Sequence, residues 1–324
     1  MTKRFLYHCF LEGILICSLC CFTSGMFAQN ALAETVENSL MVDSLNNASS
    51  HIQALRDHQN DIDKGLALIP WARFLRRNDR IAEVDSNENA YRFGFDKEFA
   101  RDDRSSQYFG IAFDICDGVT KWLGGDSDYD SFAFGIYYAR LYNSGHFFDL
   151  FISHGHYTET IRSVHPFDVN TLVSFKYNQS TPYITASYGY FWTIGKKGFY
   201  IEPKTALHWY CYTHSRAITN TNEVVTVDTS NKFVTQFGIE IGRKDANYNY
   251  YARVDQYYDW GGADLPFYLN NFQFSREQAK YWWEVTLGGS LTIGKASQFF
   301  AEISKPFKDI QSSLNFNFGF KFIL

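Results

Sequence analysis

Ionisable residues recur at alternate positions throughout this sequence, and the first question is what chemistry that spacing serves. Arg92, Asp96, Asp114, Asp149, Glu202, Lys204, Glu240, Arg253, Asp255, Glu284 and Lys321 each fall in a run where apolar and polar residues alternate. Hydrolysis by two carboxylates needs a pair held roughly 5–10 Å apart. Acids are plentiful here, but nothing in the sequence selects two of them. His154 and His156 share one face of an extended segment, yet no third ligand accompanies them, so they read as interfacial histidines rather than as a metal site. No nucleophile elbow and no phosphate loop is found. Cys116 and Cys211 lack zinc-type spacing and are too few for a disulfide framework, so free thiols are expected.

The elements that position these groups are strands. Successive side chains of a strand point to opposite faces. Phe109, Ile111, Phe113 and Ile115 oppose Gly110, Ala112 and Asp114, while Phe132, Phe134, Ile136 and Tyr138 oppose Ala133 and Gly135. Ile201, Pro203, Thr205, Leu207 and Trp209 oppose Glu202, Lys204 and His208 in the same way, and Trp283, Val285 and Leu287 oppose Glu284 and Gly288. Twelve strands are predicted, near 66–77, 88–99, 106–117, 129–142, 145–159, 181–194, 198–213, 230–243, 246–258, 277–293, 297–305 and 311–324. Most exceed the roughly 5–6 residues usual in soluble sheets and suit a tilted membrane crossing.

Connections sort by parity. Those after even-numbered strands are short, as at Asn143–Gly145 and Gly195–Gly198; those after odd-numbered strands include long stretches near 160–180, 214–229 and 259–276. Outer-membrane barrels show this asymmetry, with tight periplasmic turns and long outer loops. The polar face carries too many charges for a dry core, where each costs several kcal/mol of desolvation, whereas a hydrated lumen accommodates them. Arg92, Asp114, Glu202, Lys204, Glu240, Arg253 and Glu284 are therefore expected to line a lumen. Tyr108, Tyr142, Trp192, Trp209, Tyr257 and Trp260 lie near strand ends and are expected in interfacial girdles.

Composition agrees. Phe (31) and Tyr (22) are abundant, Pro (6) is scarce, and the net charge of −5 gives no sign of nucleic-acid binding. Lys3 and Arg4, an apolar stretch from Phe5 to Phe22 and the small-x-small sequence Ala31–Ala33 read as an export signal over 1–33, carrying four of the six cysteines with it. Residues 34–63 form a linker whose Leu45, Ile52 and Leu55 recur at helical spacing on a mostly polar segment, so a weakly amphipathic helix is expected. The barrel occupies 64–324.

Taken in order, WARF (71–74), YRFGFD (91–96), YFGIAFD (108–114), FAFGIYYARLYNSGHFFDLF (132–151), YIEPKTALHWY (200–210), FGIEIGRK (237–244) and the terminal NFGFKFIL (317–324) resemble the translocator β-domain of monomeric autotransporters across roughly residues 40–324. The resemblance implies an all-β, twelve-stranded antiparallel transmembrane barrel with an N-terminal α-helix in its lumen. It implies a monomer in outer-membrane lipid, delivery or display of N-terminal sequence at the cell surface, and assembly by the barrel-insertion machinery, which reads Phe318, Phe320, Phe322 and Leu324 as its signal. A terminal aromatic is the family preference, and Leu324 departs from it. With only some thirty residues between signal and barrel, no sizeable passenger is expected.

Asn46-Asn47, followed by Leu55-Arg56-Asp57, resembles the self-cleaving subgroup, in which an asparagine amide attacks its own backbone carbonyl and a lumen acid assists. Asp149 stands where that acid is found, while Ser187 replaces a second one. As ordinary polar residues of a hydrated helix the asparagines need no chemistry, and that reading weighs more. Two other functions stay open: a surface barrel binding host or surface ligands through its outer loops, and a helix-plugged channel. No cofactor, metal or nucleic acid is expected.

Overall fold

The structure is a computed structural model that describes residues 68–81, 84–165, 168–260, 267–270, 272–274, 280–294, 297–307 and 311–322. The export signal, the 34–63 linker with Asn46 and Asn47, and Leu324 lie outside the described residues. Twelve long antiparallel strands follow in order: β1 (Leu68–Ile81), β2 (Val84–Arg101), β3 (Ser105–Trp122), β4 (Gly125–Tyr142), β5 (His146–His165) and β6 (Asp168–Tyr190). Then come β7 (Phe199–Tyr212), β8 (Ser230–Lys244), β9 (Tyr248–Asp259), β10 (Tyr281–Ile293), β11 (Ser297–Phe307) and β12 (Gln311–Phe322). Each pairs with its neighbour in sequence, and Trp192–Ile194 prolongs the contact of β6 with β7.

The sheet closes on itself. β1 pairs with β12 from Trp71↔Lys321 to Ile81↔Gln311, so no strand edge is left open to lipid. Closure is the only way a sheet satisfies its backbone polar groups in a hydrocarbon layer. Among the described residues no helix is long and apolar enough to cross a membrane, which leaves crossing by strands untouched.

Alternation decides the two faces. Phe132, Phe134 and Ile136 of β4 and Leu314, Phe316, Phe318, Phe320 and Phe322 of β12 are exposed on the outer surface as an apolar belt. Above the belt, β4 turns outward Asp126, Asp128 and Asp130, which mark where lipid gives way to water. Between outward residues the chain presents its charges inward. Close packing inside uses glycines where two larger groups need the space. Gly319 stands between Arg73 and Phe300, whose ring lies 4.6 Å from the guanidinium, and a Cβ there would collide with that ring. Gly145 ends the β4–β5 turn at φ +96°, a conformation that favours glycine.

Three sequence-based expectations change. Residues 160–180 are not a loop: β5 runs to His165 and β6 starts at Asp168. Outward Thr158, Thr160, Lys176 and Asn178 are polar because this part of the wall stands in water, and their polarity hides strands whose inner positions are mostly apolar or aromatic, Glu159 and Gln179 excepted. The parity of the connections is thus expressed through strand overhang as much as loop length; β3 and β4 are joined by a tight turn at Leu123–Gly124. Residues 214–229 hold a hairpin, Ser215–Ile218 with Val224–Val227, which joins Phe267–Leu269 and Phe272–Phe274 in a four-stranded sheet. Finally, Tyr108 and Tyr257 are buried on the inner wall rather than in a girdle, while Trp192 and Trp260 are exposed. Strand-end position alone does not tell a girdle tyrosine from an inner one; the alternation parity does.

Candidate functional site

The site is the inner wall. At its centre Arg253 of β9 gathers carboxylates from three strands. Its Nε donates to Asp255 at 2.8 Å, and its Nη1 lies 3.6 Å from Glu240 of β8 and 3.5 Å from Glu302 of β11. Asp255 also accepts from Gln236 Nε2 at 2.8 Å and faces Lys204 Nζ at 3.4 Å. Glu302 accepts from Tyr251 OH and, at 2.7 Å, from Asn317 Nδ2. Glu284 lies beside them, its Oε1 3.5 Å from Thr286 Oγ1. The network follows from register, because Glu240↔Arg253 and Asp255↔Glu284 are directly opposed pairs and side chains across a pair meet on one face.

A second cluster spans the closure seam. Trp71 Nε1 donates to Asp96 at 2.9 Å and lies 3.3 Å from Tyr137 OH, while Lys321 of the last strand reaches Asp96 at 3.8 Å. First and last strands are thereby tied through β2. Arg92 and Asp114, opposed across β2 and β3, form a two-pronged pair, with 2.7 Å between Nη2 and Oδ2. A planar guanidinium matches a carboxylate in this way where a lysine would not. Glu202 is buried beside Glu240 in the β7–β8 register.

A chain of hydrogen bonds crosses four strands at one level. Thr185 Oγ1 is 2.9 Å from His208 Nδ1, His208 Nε2 is 3.2 Å from Gln236 Oε1, and Gln236 leads on to Asp255. Alternation places His208 on the inward face but gives it no role, and nothing in the sequence singles out Tyr137, Tyr251 or Glu302. Each occupies an inward position, so extending the alternation to every strand would have found them.

Asp149 of β5 is buried, and Ser187, its direct partner on β6, donates a hydrogen bond to its carboxylate. The serine is accounted for as a local hydrogen-bond donor. His154 and His156 are exposed on the outward face of β5, above Phe148 and Ile152. Among the described residues no group of three or more His, Cys, Asp or Glu side chains could hold a metal ion. Cys116 faces the lumen and Cys211 faces out, and the two do not form a disulfide.

A closed twelve-stranded antiparallel barrel with an apolar outer belt and a charged, tyrosine-rich inner wall is an outer-membrane protein. The sequence profile of the autotransporter beta-domain family matches residues 70–304, and the chain belongs to that family. Among solved structures, the β-domain of the Bordetella autotransporter BrkA is similar at a TM-score of 0.66 and 17% identity, covering 79% of this chain and 99% of that one. The translocator domain of the autotransporter NalP from Neisseria meningitidis gives 0.68 at 11%, covering 90% and 99%. The transport unit of the autotransporter AIDA-I from Escherichia coli gives 0.56 at 11%, covering 86% and 98%. A search of curated proteins finds no match.

Proposed function

We propose that this barrel anchors in the outer membrane and conveys the sequence preceding β1 toward the cell surface. The family match across the barrel strands carries the reading. The inner wall supports it, because a charged, hydrogen-bonding surface tolerates a polar polypeptide segment that a dry core would reject. Arg92, Asp114, Glu202, Lys204, Glu240, Arg253 and Glu284 are the groups offered to such a segment, here residues 34–63. Insertion by the cellular barrel-assembly machinery, with Phe318, Phe320, Phe322 and Leu324 as its signal, belongs to the same proposal.

An epitope tag inserted between Ala33 and Glu34 tests the reading. The tag is expected on intact cells or in the medium; its confinement to the periplasm would rule out conveyance. Self-cleavage is the finer part. If Asn46 attacks its own carbonyl with help from Asp149, mass spectrometry of the membrane-bound form must show an N-terminus at Asn47, lost in Asn46→Ala. A second reading, a surface barrel that binds ligands, is favoured by the ordered structure above the membrane: the overhanging β3–β6 and the four-stranded sheet beside them.

A further inference from the structure

At two places on the outside of the barrel, charges of opposite sign answer each other. Above the belt Arg162 bridges Asp126 and Asp128; near the β2–β3 turn Arg101 pairs with Glu98 and Arg140 lies 3.9 Å from Asp102. The turns joining β6 to β7 and β8 to β9 differ. Lys196, Lys197, Arg243 and Lys244 gather there around one acid, Asp245, which already accepts from Ala246 N–H at 2.8 Å and from Tyr248 OH at 3.0 Å.

Glycines bring these cations together. The first turn reads Gly195-Lys196-Lys197-Gly198, and its two glycines take φ of +66° and +74°, which lets the chain reverse tightly and project both lysines into solvent. Lys244 N–H donates to Gly198 O at 2.9 Å, so the two turns lie side by side. A Cβ on Gly198 would collide with Lys244 O, so this close approach requires glycine.

The patch stands at the edge of the apolar belt. Arg243 is directly opposed by Phe199 of β7 and Tyr250 of β9 on the outward face. Its guanidinium lies 5.7 Å from the Phe199 ring centre and donates to the Tyr250 hydroxyl. Trp192 and Ile194 are exposed beside Phe199 in the same rim. Aromatic rings at the hydrocarbon boundary with cations just beyond them follow the layering of a phospholipid, whose phosphate lies just outside its acyl chains. An acidic protein surface would need no such continuity with the belt.

We propose that the β6–β7 and β8–β9 turns together bind the headgroup of an anionic phospholipid in the leaflet that faces the periplasm. Only the choice of leaflet rests on the orientation in the proposed function; the headgroup preference stands on the patch itself.

The full chain, purified in detergent, is mixed with equal amounts of phosphatidylglycerol and phosphatidylcholine at low ionic strength, and retained lipid is counted by native mass spectrometry. Wild type is expected to hold phosphatidylglycerol in about fivefold excess or more. Lys196→Gln/Lys197→Gln/Lys244→Gln is expected to bring the two lipids near parity. Lys121→Gln/Lys176→Gln, at the other end of the barrel, is expected to leave the excess unchanged; heat-resistant gel mobility verifies that each barrel is folded. Parity in wild type, an undiminished excess in the triple variant, or an equal loss in the control variant would each overturn the site. Full displacement of the lipid by equimolar inorganic phosphate would overturn it as a lipid site and mark a site for free anions. Parity in wild type with a lowered outer-membrane yield of the triple variant would assign the patch to a protein instead. Lys197→Cys tests the leaflet separately with a membrane-impermeant maleimide. Labelling only after the outer membrane is permeabilised upholds it; labelling of intact cells overturns the leaflet and the orientation together, while the lipid counts still decide the headgroup preference.

Discussion

Removing the Arg253 guanidinium decides whether the charged wall behaves as buried protein or as solvated lumen. The side chain is fully buried and holds Asp255 at 2.8 Å, with Glu240 and Glu302 within 3.6 Å. Arg253→Met would leave three carboxylates together, with Lys204 at 3.4 Å from Asp255 and Arg73 near Glu302 as neighbouring cations. Breaking a buried ion pair from one side costs about 3–5 kcal/mol, because the partner charge stays buried without compensation. The same pair in bulk water is worth about 0–1 kcal/mol. The assay is urea unfolding of the barrel in lipid vesicles, followed by tryptophan fluorescence, where a loss of that size lowers the midpoint at an unchanged slope. Arg253→Met/Asp255→Asn/Glu240→Gln should recover much of the loss, since neutral amides no longer repel. A loss below about 1 kcal/mol for the single variant would refute the reasoning and show that water screens the network.

Three further outcomes are expected. Phe322→Asp, at the end of the outward Phe row of β12, should prevent membrane insertion, whereas Leu324→Phe should assemble at least as well as wild type; both are read by outer-membrane yield. Gly238→Leu should cost about 1–3 kcal/mol in the same unfolding assay, because a Cβ there comes within 2.6 Å of Lys204 Cε and also meets Asp255, and the loss should shrink in a Lys204→Met background. Burial pushes the Glu223 carboxyl up, but hydrogen bonds from His165, Thr221 and Asn270 outweigh it and leave its pKa below the ordinary value. A depressed carboxyl contributes stability that is present above its unfolded value and is lost as pH falls through the folded one. Hydrogen exchange at residues 219–227 should therefore accelerate below about pH 4, with the acceleration blunted in Glu223→Gln.

Barrel class, strand number and the inward direction of the charges were legible because a period of two survives in every membrane-crossing strand, as at Phe109–Ile115. The overhang was not legible. Outside lipid, outward positions become polar, so segments such as 168–180 lose half of the pattern that marks a strand while still pairing fully. Tyrosines misled for a related reason: their rings suit an interface and their hydroxyls suit an acid-lined wall, and Tyr257 takes the second role. Partners of the lumen acids depend on cross-strand register, which sequence alternation leaves free. Thus Arg253 was legible as inward, but its grouping with Glu240 and Glu302 required the pairing of β8 through β11.

The seam between β1 and β12 also bears on how the chain folds. Trp71 meets Lys321 across about 250 residues of intervening chain, so this pairing has the highest contact order in the sheet. Every other ladder joins neighbours in sequence and can form by local zippering, while the seam carries the largest loop-closure entropy and gains nothing until both ends are present. The barrel must therefore pass through an open, eleven-hairpin curl whose two free edges need protection until Trp71 pairs with Lys321 and Lys321 meets Asp96. A helper that holds those edges apart from lipid and from each other would act at the slowest step of assembly.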